Sequence, residues 1–510
     1  MMEVRLILGD QLNVQHSWYK EPREDVLYVM MEMRQETDYV RHHIQKVVAF
    51  FKSMRWFAGI LQSQGHQLRY FRLDDSDNQQ SIEGNLQQVF QEFDATSWAY
   101  QLPDEYRLDQ MLQSLSKKWD LSCSVADTEH FYTEREEVQE LFEGKKTFLM
   151  ERFYRVMRKK HNVLMDRGAP MGGDWNYDQQ NRKKLPKDVV VPEPFSPKHD
   201  VTDLVEMIEA AGVDTMGDIQ AEAFDWMCSL EEGEEALTYF LEHLLPKFGD
   251  YQDAMTTQST TLFHSRLSFL MNAKIMSPQY VVDTAESYYR THKGEIDISQ
   301  IEGFIRQILG WREYMRGLYW AKMPEYGNMN FFGHDRKLPD FYWTGKTKMK
   351  CLQHSIGQSL EEAYAHHIQR LMVCGNFALM AGVHPDEVDA WYLGVYIDAI
   401  EWVELPNTRG MSQFADGGIV ATKPYCGSAN YMKKMGDYCK QCHYKASKKT
   451  GDGACPFNSL YWHFIARNES LLRDNPRMGM MYRVWNKYSS EQQEDILNQA
   501  DQYLENIDEL

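Results

Sequence analysis

The chain has 510 residues, 43% of them hydrophobic, and a formal charge of −20. One hydrophobic core rarely grows past roughly 250–300 residues, so two or three domains are implied, and the negative charge argues against indiscriminate binding to nucleic acid. No apolar run approaches the ~20 residues that span a bilayer, and the opening "MMEVRLILGD" carries Glu3, Arg5 and Asp10 where a signal peptide has its apolar core, so the sequence reads as a cytoplasmic protein with no membrane segment.

From the start of the chain, "VRLILGD", "DVLYVMMEM", "LRYFRL", "SWAYQL" and "SCSVADT" read as strands. Between the second and third, Val40, Ile44, Val47, Phe51, Met54, Phe57 and Leu61 recur at spacings of three and four, a helical period, with Gly65 as its stop. Strand and helix alternating in this way predict a Rossmann-like parallel sheet covered on both faces, an α/β domain over residues 1–135. No G-x-G-x-x-G follows the first strand, so the ordinary dinucleotide fingerprint is absent and any ligand there must be held differently.

A connector over 136–200 follows. It is basic from Glu151 to Lys187, with ten Lys or Arg against four acids, and then rich in proline at Pro186, Pro192, Pro194 and Pro197. From 201 to 510 strand signals almost vanish and helical periodicity dominates, as in "FIRQILGWREYMRGLYW" and "SLEEAYAHHIQRLMVCGNFALMAG", which predicts a large all-α domain. No internal repeat or low-complexity segment interrupts it.

Within that region "GDYCKQCHYKASKKTGDGACPFN" sets Cys439, Cys442 and Cys455 in a C-x2-C-x12-C-P array. Eight cysteines are too few for a disulfide scaffold in so long a chain, so clustered ones read as metal ligands in a reducing compartment. Cys351 is the best candidate for a fourth ligand. Zinc would accept these thiolates, or His443 or His463 in place of Cys351, while the proline after the last cysteine favours an iron–sulfur cluster. Cys123, Cys228, Cys374 and Cys426 are expected to be buried small hydrophobes. A second basic run, Lys423 to Lys449, holds seven lysines against one acid, Asp437. Two such runs beside aromatics raise the case for a local nucleic-acid surface.

"YQDAMTTQSTTLFHSRLSFLMNAKIMSP" places Ser265, Arg266 and Ser268 at the expected start of an amphipathic helix, where phosphate binding and simple capping look alike. "SRLSFLMNAKIMSP" followed by "FIRQILGWREYMRG" resembles the FAD-binding half of the photolyase and cryptochrome family. The four cysteines, with "GDQL" near the start and "GGDWNYDQQNRKKLP" in the connector, resemble more narrowly the iron–sulfur bacterial cryptochromes and photolyases, the prokaryotic (6-4) photolyases.

That resemblance implies an antenna domain carrying 6,7-dimethyl-8-ribityllumazine, a helical domain carrying FAD, and a 4Fe-4S cluster on Cys351, Cys439, Cys442 and Cys455. Matching by motif, Tyr251, Ser265, Leu267 and Ser268 would lie against the FAD phosphates and ribityl chain, with Arg266 beside them. His264 stands where many of the family have threonine. Arg370 and Asp398 would pair beside the flavin ring, Glu404 would sit near its reactive nitrogen, and Asp10, Glu36 and Tyr39 would contact the antenna. Trp391, Tyr431 and Trp343 resemble the positions the family uses to pass electrons.

"AYAHHIQRLM" sets His366 and His367 before Arg370, with Tyr364, His367 and Leu371 expected on one inward helical face. The alternative is a core histidine with no chemical role. The family's repair of a (6-4) photoproduct moves a hydroxyl between pyrimidines and so needs a proton donor, and histidine can act as acid or base near neutrality. His367 is expected as donor and His366 as its partner, the two being exchangeable. UV-damaged DNA is the implied partner of a monomer, with Tyr425 stacking on the extruded lesion and Arg409, Lys423, Lys433 and Lys434 near phosphates. The cysteine site is expected to brace this surface. Two other readings remain open: a blue-light receptor with little repair, and a light-independent nucleic-acid-binding protein with a structural cluster, as in the large subunit of primase.

Overall fold

The computed structural model describes residues 2–145 and 147–510. Five parallel strands form the sheet: β1 (Met2–Leu6), β2 (Val26–Met31), β3 (Gln67–Phe71), β4 (Ala95–Gln101) and β5 (Ser122–Ala126), in the order β3-β2-β1-β4-β5. Every residue of β2, VLYVMM, is buried, as a strand covered on both faces requires. Helices Ile44–Ser63, Ile82–Glu92 and Tyr106–Lys118 supply the cover. The first of them starts at Ile44, so Val40 lies ahead of it, because the ring of His43 accepts the Gln45 amide at 3.1 Å and caps the helix. Gly65 follows its end with φ +87°.

The first three strands build outward to one edge and the last two to the other. The loops after β1 and β4 therefore part company, and a crevice opens at the carboxyl ends of these strands.

The connector is more than a tether. It contains helix Met150–His161 and a small antiparallel pair, Met165–Asp166 with Ala169–Pro170. The helix packs against the long helical run Ile298–Lys322, whose Tyr314 donates to the Phe148 carbonyl at 2.7 Å. Residues 186–198 run without helix or strand, and beyond them the chain is helical. One continuous core joins a face of the sheet to the helices around Phe240, Leu270 and Leu309, a second surrounds Cys351 and Trp391, and a third fills the other sheet face.

A buried ionic knot fastens the two halves. Lys274, 1% exposed, lies 2.8 Å from Asp10 and 2.9 Å from Asp104, and Asp104 also meets Arg316 at 3.2 Å. Burial works against ionising Asp104, yet Lys274 and Arg316 outweigh it and hold the carboxyl well below its usual range. Among the described residues no helix is long and apolar enough to cross a membrane.

Candidate active site

The helix expected to run through both histidines is broken. Lys350–Glu362 ends at Ala363, whose φ of +53° reverses the chain, and helical turns resume only at His367 before widening to a π-helix over Gln369–Gly375. Tyr364 therefore does not share a helical face with His367, and the inward and outward places are the reverse of the sequence expectation. His366 is 3% exposed, whereas the His367 side chain is 44% exposed.

The His366 ring stacks on His264, with centroids 5.3 Å apart and planes 11° from parallel, and His367 meets His264 edge-on at 5.7 Å. Asp253 stands 3.0 Å from Nε2 of His367, and the Gln252 carbonyl 3.2 Å from Nε2 of His264. Burial, reinforced by the neighbouring rings, pushes His264 down to about 3 and His366 well below its ordinary value. Both are thus neutral at pH 7.

Beyond the histidines, Arg370 pairs with Asp398 at 2.9 Å. Ser268 Oγ donates to the same carboxylate at 2.6 Å, and Asn272 Nδ2 donates to the Asp398 carbonyl at 2.8 Å. Burial opposes ionisation of Asp398, but Arg370 and Ser268 prevail and lower its pKa.

The helix predicted after Ser265 is only Ser268–Asn272, so Ser265 and Arg266 belong to the loop before it. Arg266 stacks over Trp226 at 4.0 Å and lies 3.5 Å from Asp225. Leu267 is fully buried, and Tyr251 lies against Phe263, centroids 5.7 Å apart. Glu404 is buried with Oε1 unpartnered. Burial, then Asp389, raises its pKa well above the usual carboxyl range.

The two basic runs, far apart in sequence, meet. Lys184 Nζ donates to the carbonyls of Gly436 at 2.9 Å and Lys433 at 3.3 Å, so the connector docks on helix Ala429–Met435 and its exposed Lys433 and Lys434. Lys423 is exposed nearby in sequence, and Tyr425 and Tyr431 are half-buried with Arg182 and Asp253 close enough to act on both electrostatically. The histidine cluster thus adjoins a basic, aromatic surface. Arg409 does not join it: the side chain is 3% exposed, bound to Asp386, to Asp389 at 2.7 Å and to the Met329 carbonyl at 2.9 Å. A cation with two carboxylates to neutralise was drawn inward.

Cys351, Cys439, Cys442 and Cys455 line one small cavity, walled by apolar side chains such as Met349, Met432 and Phe457. Neither histidine weighed as a ligand borders it: His443 is exposed and His463 sits 3.2 Å from Asp501. Burial and the other three sulfurs raise the Cys351 thiol well above its ordinary value, and burial pushes Cys455 up to about 12. Four thiolates together need a cation, which a metal centre supplies. Cys228 and Cys374 are buried as expected, but Cys123 and Cys426 are only partly so.

The cysteine loop grips the histidine site from both sides. Gln369 receives the His366 amide at 3.2 Å and donates to Tyr438 Oη at 3.1 Å, while Asp437 accepts from Thr257 N at 3.1 Å in the loop after Asp253.

The crevice of the sheet is a cavity of about 130 Å³, roughly ten times the space one water needs. Asp10, Glu36 and Tyr39 all line it, with Lys46, Glu105, Ala399 and Ile400. Arg107 ties three of the lining residues together, paired to Glu36 at 2.7 Å and Glu105 at 3.0 Å and lying over Tyr39.

Trp391, Tyr431 and Trp343 are not brought together. Trp391 is fully buried and packs on Tyr342, Tyr392 and Tyr396, whereas Trp343 is 36% exposed; among the described residues no ring contact joins any two of the three.

Asp253, Gln369, Arg182 and Lys184 escaped the sequence reading. Asp253 stands two residues after Tyr251 in a stretch already singled out, but nothing local marks it, since its partner is 114 residues away.

Residues 5–226 match the family model described as deoxyribodipyrimidine photo-lyase-related protein. A (6-4) photolyase of Agrobacterium fabrum is 40% identical over 512 positions, covering the whole of both chains. The fold resembles a bacterial class III photolyase from Agrobacterium tumefaciens (TM-score 0.55, 16% identity, 83% of this chain and 81% of that one) and a Synechocystis cryptochrome (TM-score 0.55, 12% identity, 95% and 94%).

Proposed function

The chain belongs to the iron–sulfur bacterial cryptochrome and photolyase family, and we propose that it is a light-driven DNA lyase that reverts (6-4) pyrimidine–pyrimidone photoproducts. The observation that carries this reading is the His264–His366–His367 cluster. It opens through His367 onto a basic, aromatic surface and lies one helical turn from the Arg370–Asp398 pair.

FAD fits the polar groups gathered behind the histidines. Among the described residues Arg266 Nε and Glu404 Oε1 are buried without partners, and burial favours the neutral form in which the Glu404 carboxyl would donate to a ring nitrogen. Arg370 and Asp398 would hold the flavin ring, with Tyr251, His264, Ser265, Leu267 and Ser268 along its phosphates and ribityl chain. When bound, FAD supplies the photoexcited electron.

The protein's own part is to hold the lesion and move a proton. His367, the ring open to the surface, donates from its protonated form to the lesion as the hydroxyl transfers and takes the proton back as the two bases part, while Asp253, accepting from Nε2, sets the direction of that ring and leaves Nδ1–H for the lesion. His366, neutral and stacked, seats His264 and backs the donor. Tyr425 stacks on the extruded base, and Lys423, Lys433 and Lys434, joined by Arg182 and Lys184, meet the phosphates. The four thiols suit a 4Fe-4S cluster in number and softness. Their loop holds both Gln369 and the segment after Asp253, so the cluster's role is to keep the histidine site in shape. The cavity suits 6,7-dimethyl-8-ribityllumazine: it is large, apolar on most walls, and offers Glu36, Glu105 and the unpartnered His42 Nδ1 as polar contacts.

The test uses reduced, anaerobically purified protein with two oligonucleotides, one carrying a (6-4) product and one a cyclobutane dimer, followed by chromatography after blue light or darkness. Light-dependent loss of the (6-4) product alone is expected. Repair of neither, with flavin present and photoreducible, would replace this reading with that of a photoreceptor.

A further inference from the structure

The cavity of the sheet and the flavin side of the molecule share a wall. Ala399 and Ile400 line the cavity, and the residue before them, Asp398, is the carboxylate that Arg370 and Ser268 hold. We propose that occupancy of the cavity and binding of flavin are energetically coupled through Asp398–Ile400, with Lys46 as the positioning residue that transmits the coupling; this rests on the cofactor assignments above.

Lys46 projects from helix Ile44–Ser63 into the cavity lining and is 5% exposed. Its Nζ donates to the carbonyls of Leu393 and Ala399, both at 2.7 Å. One cation thus touches the cavity and grips the strip of backbone that ends in its wall. The strip is seated closely on the α/β part: the His43 amide donates to the Gly394 carbonyl at 2.9 Å, and a Cβ on Gly394 would lie 2.2 Å from the Arg41 carbonyl oxygen. A second tie comes from the other side. Asn272 holds the Asp398 carbonyl, and two residues later Lys274 is bound to Asp10, itself a cavity-lining residue.

A molecule filling the cavity takes freedom from Ala399 and Ile400. With Lys46 in place, that ordering reaches Ala399 O and fixes the position of Asp398, so flavin then meets a carboxylate already in place. By thermodynamic reciprocity, flavin raises affinity in the cavity by the same factor.

The experiment follows FAD release by its fluorescence from protein stripped of antenna, with and without saturating 6,7-dimethyl-8-ribityllumazine, in the parent and in Lys46→Met. Lumazine is expected to slow release about fivefold or more in the parent, and to leave it nearly unchanged in Lys46→Met, whatever the absolute rates. A residue that only stabilised the fold would change release equally in both conditions. Should Lys46→Met fail to accumulate, Ile400→Ala, which trims the shared wall, is expected to shrink the same ratio. Equal release from the parent with and without bound lumazine overturns the coupling, and an undiminished ratio in both variants overturns the role of the wall and of Lys46. Lumazine binding is read separately from its own fluorescence, so failure to bind sinks the antenna assignment and this inference together, while binding without effect sinks the coupling alone.

Discussion

Replacing His367 with alanine should cost repair and little else. The side chain is 44% exposed and, among the described residues, its side-chain hydrogen bond is to Asp253 at 3.0 Å, an exposed pair worth at most about 1 kcal/mol to the fold. Losing a positioned proton donor slows a reaction by about 10²–10⁴, or roughly 2.7–5.5 kcal/mol in the barrier. His366→Ala differs in kind. That ring is 3% exposed and stacked on His264 at 5.3 Å, so its removal leaves a hole and a lost ring contact costing about 3 kcal/mol. The assay is repair of a (6-4) oligonucleotide per absorbed photon, at matched flavin content, with thermal melting alongside. His367→Ala should melt within a few degrees of the parent and lose at least two orders of magnitude in repair, and Asp253→Asn should fall between. The reasoning from exposure fails if His367→Ala repairs within about threefold of the parent while His366→Ala, still loaded with flavin, repairs nothing.

Arg409→Met should destabilise the protein by about 3–5 kcal/mol in urea unfolding, because it strands the buried Asp389 beside Asp386, while leaving the salt dependence of DNA binding unchanged. Lys433→Ala with Lys434→Ala should weaken binding to damaged and undamaged duplex alike and lower the slope of log affinity against log salt by about 1 per lysine that meets a phosphate. If the four cysteines hold the proposed cluster, Cys351→Ala should abolish its visible absorbance and lower the melting temperature, the loss of repair following from slackened support at Gln369 and Asp437. His334, 6% exposed and pushed by burial down to about 3, binds no proton in the fold where the unfolded chain does below pH ~6.5. Its contribution to stability therefore falls with acidification, by about 1.4 kcal/mol per pH unit, and His334→Phe should gain about 2 kcal/mol on the parent between pH 6.5 and 5 in urea unfolding.

Where the chemistry is local in sequence, it was legible. The strands of the sheet, the helix after β2 and the cysteine triplet are visible as spacings or short apolar runs, whereas Cys351 is marked only by its polar context and by resemblance; the structure has each element and brings the four cysteines to one cavity. The Arg370–Asp398 pair came from resemblance and is made at 2.9 Å. The histidine faces differ from expectation because a 3.6-residue period does not apply through residues 364–366, which the left-handed Ala363 leaves outside any helix. Whether Arg409 is exposed cannot be read without its partners, and these, Asp389 and Asp386, lie 20 and 23 residues away.

The sequence by itself determined the elements and the chemistry available to them: a parallel sheet, a helical majority, four thiols, adjacent histidines and two basic runs. Tertiary structure alone decided which histidine faces outward, that Asp253 meets it, that the basic runs join at Lys184, and that Ala399 and Ile400 serve as a wall of the sheet's cavity. The physical reason is range. Periodicity and capping report contacts within a turn or two of the chain, whereas burial, pairing and pKa are set by whatever the fold carries in from hundreds of residues away.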